Sequence, residues 1–219
     1  MISTSQVIEE LIRKSPFLEE GLTRGFINHS SLARKFRPQV ERRLMKGVTE
    51  GAIIMALKRL SGKLTKRQLN KNLLKELGDI TIRSNLVDIT FSNSPTLIKA
   101  QEKLLAKITG KNGDFLTISH GTKEVTLIAS RNLVDDIKEI FKNEKRISSF
   151  SNLSSITIKL APQTSHIPGV YYTILKLLAW DGINVTEIVS TYTELTIVLE
   201  NKDIDRAFSV LKNYTEENG

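Results

Sequence analysis

The sequence predicts an α+β chain in which an all-helical head precedes two copies of a small strand–helix–strand–strand–helix unit. Three observations carry that prediction. Apolar residues recur at helical spacing through residues 4–77, and from Ile80 onward they alternate as strand residues do, between short helical runs. The order of elements between Ile80 and Phe141 then recurs between Ile156 and Leu211. Finally, the charge is segregated. Of a net charge of +8 over 219 residues, residues 1–75 hold 16 Lys/Arg against 6 Asp/Glu, and residues 76–219 hold 16 against 18. A basic segment on a near-neutral body points to a polyanion-binding module or to a solvated charged face.

Composition narrows the field further. Apolar residues make up 40%, enough for packed cores. The absence of cysteine excludes a disulfide scaffold, a thiolate metal site and a cysteine nucleophile. No apolar stretch reaches the roughly 18–20 residues that span a bilayer. MISTSQVIEELIRK has no signal-peptide apolar block, so a cytoplasmic protein without a membrane partner is expected.

In the head, Ser3 or Thr4 caps a first helix carrying Val7, Ile8, Leu11 and Ile12. Ser15-Pro16 breaks it, and Pro16 opens a second helix that ends at Gly25. A short helix from Ser30 or Ser31 to Phe36 is expected next, then another from Pro38 to Gly47. Thr49 caps a helix to about Ser61 with Ala52, Ile53, Ala56, Leu57 and Leu60 as its buried stripe. LTKRQLNKNLLKELG reads as a connecting helix over 64–78. The expected divisions are therefore a head over 1–63, the connector, and units at 79–150 and 151–219.

In the body, ITIRS and VDITF read as strands, Pro95 starts a helix to about Ile108, and FLTIS–HGTK–EVTLIAS reads as a hairpin. LVDDIKEIF is an amphipathic helix with Asp135 and Asp136 in its first turn, where acidic residues suit the dipole. The second copy follows as ITIKL, IPGVYYTILKLLAWDG, VTEIVSTY–TE–LTIVLE and DIDRAFSVLKNY. A shift of 70 residues places Thr126-Leu127-Ile128 on Thr196-Ile197-Val198 and Lys142-Asn143 on Lys212-Asn213. A repeated order with matching phase is a duplication, and a unit of this length suits a split βαβ, ferredoxin-like βαββαβ sandwich. Trp180 lies on an apolar helix and is expected in the core. Of Tyr171 and Tyr172, one is expected to pack and the other to line a site. Ile54 and Met55 interrupt a polar helix side and are expected at a subunit contact.

The second unit resembles an ACT domain, the ligand-sensing module of amino-acid biosynthetic enzymes and regulators. The resemblance rests on ITIKLAP, on Ile167-Pro168-Gly169-Val170, and on Leu178-Ala179-Trp180-Asp181-Gly182-Ile183-Asn184-Val185. The first unit has the same order but carries Ser94-Pro95-Thr96 in place of Pro-Gly-Val, and the tandem is similar to the aspartokinase regulatory region. The resemblance implies a ligand set of His166, Ile167, Pro168, Gly169 and Val170 with Asn184, Val185 and Thr186. Physics is compatible with such a role. Pro168 starts a helix, Gly169 permits close approach, and first-turn N–H groups at a positive dipole end suit a carboxylate. Asn184 offers an amide donor and a carbonyl acceptor. The same residues are also ordinary helix caps.

The first 60 residues resemble a helix-turn-helix or winged-helix module, with SSLARKF as its first helix and VTEGAIIMALKRLS as its recognition helix. That resemblance implies Thr49 and Glu50 at base edges of double-stranded DNA. Arg34, Lys35, Arg37, Arg42, Arg43, Lys58 and Arg59 then lie near phosphates, with Lys63, Lys66 and Arg67 extending the track. The alternative is a charged face of a protein-interaction domain.

Little else in the chain carries chemistry. His29, His120 and His166 lack ligand spacing, and no GxSxG, Walker A or GxGxxG sequence occurs, so no metal, cofactor or catalytic set is expected. The functional expectation is an amino-acid-sensing transcription regulator, a homodimer or larger homo-oligomer. The alternative is a regulatory or adaptor subunit that binds an amino acid and a protein partner without DNA.

Overall fold

The computed structural model describes residues 2–67, 77–108 and 113–218, and the chain divides into two compact units, residues 1–72 and 73–219. In the first unit the described residues form the helices α1 (Thr4–Arg13), α2 (Pro16–Thr23), α3 (His29–Leu44) and α4 (Glu50–Arg67). Ser3 and Gln6 make a reciprocal capping box at the start of α1. Ile8, Ile12, Leu22, Ala33, Val40, Ile53 and Leu57 form the centre of a common core.

Two expectations for the head are corrected. The helices expected on either side of Pro38 are one helix. The Asn28 side chain caps α3 by accepting from the Ser31 N–H at 3.0 Å, and Met45 ends it in the left-handed region at φ 52°. Interior proline removes one hydrogen bond and crowds the preceding turn. Here Leu32, Ala33, Phe36 and Val40 keep one buried stripe running across it, and that burial offsets the loss. Likewise α4 continues past Ser61 through Gly62 to Arg67, carried by buried Leu64. Ile54 packs against the head's own core, whereas Met55 is exposed. The connector expected over 64–78 begins as the end of α4 and finishes in a strand; residues 68–76 lie outside the described residues.

The second unit contains β1 (Leu77–Ser92), α5 (Leu97–Ile108), β2 (Leu116–His120), β3 (Glu124–Ser130), α6 (Val134–Ile140), β4 (Arg146–Leu160), α7 (Val170–Trp180), β5 (Glu187–Ser190), β6 (Glu194–Glu200) and α8 (Ile204–Asn218). Among the described residues the strands form one sheet in the order β2-β3-β1-β4-β6-β5, with all neighbours antiparallel. The expected duplication is visible as two βαββα halves. ITIRS and VDITF are one long strand, as are the residues either side of position 150, so β4 runs through the expected 150/151 division.

The joint within each long strand is the same. Ser84-Asn85-Leu86 recurs 67 residues later as Ser151-Asn152-Leu153, and the two asparagines stand at φ 60° and 58°. Asparagine tolerates the left-handed region, and the β1–β4 register shifts between Arg83 and Leu86. Past the joint, the second part of β1 pairs with β3 and with the first part of β4. The second part of β4 pairs with β6 and with the first part of β1. Each half thus obtains its fourth strand from the other: in the first half that strand follows α6, as in βαββαβ, whereas in the second it is the first part of β1 and precedes the half's own elements in the chain.

The helices pack on one sheet face. Val87, Ile89 and Phe91 of β1 meet α5 and α6 in one cluster, while Ile156, Ile158 and Leu160 of β4 meet α7 and α8 in another. On the opposite face Leu86, Ile128, Leu153 and Val198 are buried together, joined by Phe115 and Val189. Thr90–Thr126 and Thr157–Thr196 hydroxyl pairs, each at 2.9 Å, repeat the symmetry on that face. Trp180 is corrected: it is 62% exposed. Val170, Ile174 and Leu178 point α7 at the sheet, and Trp180 falls about 200° round from Leu178.

Candidate functional site

The residues expected to hold a ligand flank α7. Before it, β4 ends at Leu160, whose N–H donates to the Thr193 carbonyl at 2.7 Å. A 3-10 turn over Pro162–His166 follows. Thr164 is buried, and its hydroxyl donates to the Ala161 carbonyl at 2.6 Å, which holds the turn closed. Gly169 precedes α7 at φ 93°, a conformation that costs other residues about 1–2 kcal/mol. No side chain caps α7. The Gly169 carbonyl instead accepts from both the backbone and the hydroxyl of Thr173, at 3.0 and 2.9 Å.

A cavity of about 420 Å³ lies against this turn, lined by Leu160, Thr164, Tyr171, Tyr172 and Tyr192 together with Ile167, Gly169 and Val170. Its lining carries hydroxyls and backbone groups and no charged side chain. Both Tyr171 and Tyr172 line it, and both stay half-exposed, so neither packs into the core. His166 and Pro168 are exposed and stand beside the cavity, not in its lining. Sequence patterning does not mark Thr164 or Tyr192 as lining residues. Tyr192 sits in the β5–β6 turn, distant in sequence, and the β4–β6 ladder, extended by the Leu160–Thr193 hydrogen bond, brings it near.

Asn184, Val185 and Thr186 lie elsewhere. They follow the far end of α7, an 11-residue helix about 16 Å long, and line two open grooves of about 600 Å³ each. One groove runs along Phe150–Leu153 and Glu200–Lys202, the other along Leu175, Ala179 and Ile188. The Thr186 N–H donates to the Val198 carbonyl at 2.8 Å, extending the ladder of β5. One copy of the chain therefore does not bring the two expected clusters together.

In the helical unit the basic residues divide into two sets. Arg34 pairs with Glu50 at 3.3 Å, Arg37 with Glu41 at 3.0 Å, and Arg43 with Glu10 at 2.7 Å. Arg42 Nε donates to the Pro38 carbonyl at 3.3 Å, and Thr49 Oγ1 accepts from the Ala52 N–H at 3.3 Å as a helix cap. The Glu41 carboxyl is held below its ordinary range, first by the Val48 N–H and then by Arg37. Lys35, Lys58 and Arg59 are exposed. The outer face of α4 adds Gly51, Met55, Gly62 and Lys63 to the last two. Among the described residues no helix is long and apolar enough to cross a membrane.

No protein-family model matches the chain, and no curated protein does. Solved structures do. The aspartate kinase of Clostridium acetobutylicum matches with a TM-score of 0.53 at 18% identity, over 64% of this chain and 35% of that one. The ligand-free regulatory subunit of aspartate kinase from Thermus thermophilus matches with a TM-score of 0.51 at 10% identity, over 64% of this chain and 98% of that one. A structure of aspartokinase alpha and beta subunits matches with a TM-score of 0.50 at 18% identity, over 64% and 99%. The chain thus spans about a third of the Clostridium enzyme and nearly all of the Thermus regulatory subunit. At these identities the likeness is one of fold, and the α+β unit has the ACT-type fold of aspartate kinase regulatory domains.

Proposed function

We propose that the chain senses a free amino acid or similar effector in the cavity at the Gly169 turn and reports it through the helical unit. The observation that carries this reading is the uncapped start of α7 opening on a cavity of about 420 Å³. First-turn N–H groups and the tyrosine hydroxyls supply donors for a carboxylate where no cation does. The fold shared with aspartate kinase regulatory domains supports the reading. Asn184, Val185 and Thr186 join this site only when a second copy supplies them, which makes the sensing form a homodimer or larger. His166 and Pro168 shape the turn. The unit binds and reports, and no catalytic step is assigned to it; its compartment is the cytoplasm.

The finer part of the proposal is that the helical unit grips double-stranded DNA and regulates transcription. Lys35, Lys58 and Arg59 are ready for phosphates, and Thr49 and Glu50 open α4 as base-reading residues. Arg34, Arg37 and Arg43 must first leave their carboxylate partners. That internal pairing favours the second reading, in which the unit is an adaptor for an acidic protein surface.

A thermal-shift screen of the full chain against the twenty amino acids tests the sensor: at least one is expected to raise the melting temperature, and Gly169→Ala to abolish the rise. A uniform null on folded protein rejects it. Fluorescence anisotropy with the chain's own upstream DNA tests the head. Binding that falls steeply with salt is expected, and Lys58→Ala/Arg59→Ala should weaken it. No binding at low salt, with or without effector, leaves the adaptor reading standing.

A further inference from the structure

The two halves of the sheet are alike enough that each position in one has a counterpart in the other, and at one place the counterparts part company. In the first half a cavity of about 230 Å³ opens between α6 and the paired ends of β1 and β4. Its floor is Ile89, Phe91, Ile137 and Phe141, all buried, with the two phenyl rings stacked at 4.9 Å. Its rim is Lys138, Lys142, Glu144 and Arg146.

In the second half the floor recurs as Ile156, Ile158, Ala207 and Leu211, all buried. Three of the rim positions differ in kind. Lys138 corresponds to Phe208 and Glu144 to Tyr214, each at the 70-residue shift. Arg146, opposite Phe91, corresponds to Ile80, opposite Ile158. Phe208, Tyr214 and Ile80 all pack against the second core. Phe208 replaces a residue within α6, whereas Tyr214 is carried by the longer helix, since α8 runs to Asn218 and α6 stops at Ile140. The second half therefore fills with its own aromatic side chains a place that the first half leaves open and rims with cations.

We propose that this cavity is a binding site for a small anion with a compact aromatic body and no ammonium group. The body takes the room that Phe208 and Tyr214 take in the other half. The room suffices, because a cavity of about 150 Å³ holds a benzene ring. Lys142 and Arg146 meet the anionic group, while Lys138 also faces Asp135 at 3.8 Å. The one carboxylate on the rim is engaged already: the oxygens of Glu144 accept from the Ser94 and Thr96 hydroxyls at 2.6 and 2.7 Å. An ammonium would face three cations, Lys138, Lys142 and Arg146, against that single carboxylate, which separates this ligand class from free amino acids. The inference does not rest on the effector cavity at Gly169, whose lining carries no charge.

Fluorine NMR of the full chain with 4-fluorophenylacetate tests the site, using 4-fluorophenylalanine and 4-fluorobenzyl alcohol as probes of charge. Saturable binding of the acetate at about 1 mM or tighter is expected, with the amino acid about tenfold weaker or worse. Lys138→Phe, which installs the residue found at the corresponding position of the second half, should abolish binding while keeping the melting temperature. Arg146→Ala, at an exposed strand end, should weaken the anion about fivefold or more and leave the neutral alcohol unchanged. Absence of binding up to about 10 mM overturns the proposal. So does binding that survives both variants, or that is lost only on Gly169→Ala.

Discussion

Asp88 is the residue whose placement has the clearest energetic consequence. It stands in β1 on the sheet face away from the helices, 2% exposed, at the position Ser155 occupies in the second half. Burial raises its carboxyl from 3.8 to about 6, Glu187 adds to the rise, and a hydrogen bond with Thr90 opposes it. The folded chain thus holds this proton more tightly than the unfolded chain does. That contribution to stability is complete below about pH 3.8 and is lost as pH rises through about 6. The loss is worth about 3 kcal/mol by the pKa difference. Asp88→Asn should therefore stabilise the sheet unit by up to about 3 kcal/mol at pH 8 and change little at pH 3. Urea denaturation at several pH values measures this; an equal gain at both ends would show that Asp88 is not the titrating group. Gly169 gives a prediction of opposite sign. A methyl group there meets nothing within 4 Å, so Gly169→Ala is opposed by its φ of 93° alone and should cost about 1–2 kcal/mol.

At the scale of the element, α4 shows a helix whose inner and outer faces follow different rules. Its inner face is a continuous apolar stripe, and its outer face contains Gly51 and Gly62, where an added Cβ meets nothing within 4 Å. Helix-interior glycine costs about 1 kcal/mol relative to alanine. Gly62→Ala should raise head stability by about that amount in chemical denaturation and Gly51→Ala, in the first turn, by less; no gain at Gly62 would show that the helix is not closed there. The inner stripe is also why α4 was legible: Ile53, Ala56, Leu57 and Leu60 announce a helix by spacing alone. Pro38 misled for the converse reason, because local propensity places a break where buried Phe36 and Val40 hold one helix together. The long strands are masked in a similar way. Alternation is interrupted at Asn85 and Asn152, and a left-handed bulge within a strand looks in sequence like the end of one. At the site, the Pro-Gly-Val turn was legible from residue types, whereas Tyr192 depended on a strand pairing that spacing does not reveal. The separation of Asn184 from Gly169 follows from the helix that the sequence places between them, since α7 sets its two ends about 16 Å apart.

At the scale of the sheet unit, strand sharing makes the two halves one cooperative structure. The first part of β1 belongs to the second half's sheet and the first part of β4 to the first half's, so neither half can be completed without the other. Leu86 and Leu153 sit opposite each other at the centre of this exchange, buried against Ile128 and Val198. A Leu→Ala change in a packed core costs about 2–5 kcal/mol through lost transfer energy and the cavity left behind. Leu153→Ala should therefore lower amide-exchange protection by the same free energy at Ile89, in the first half, and at Ile197, in the second. Independent halves would instead lose protection near β4 and β6 and keep it in β1 and β3. The same coupling offers a physical route for effector action. A ligand that orders the loop after β4 acts on a strand whose other end forms the edge of the first half's cavity, where Arg146 stands. Binding at the Gly169 turn and binding beside Arg146 should then shift each other's affinity by one common factor, as linkage requires. Titrating 4-fluorophenylacetate with and without a stabilising amino acid measures that factor, and a ratio of one would mean that β4 transmits nothing between its ends.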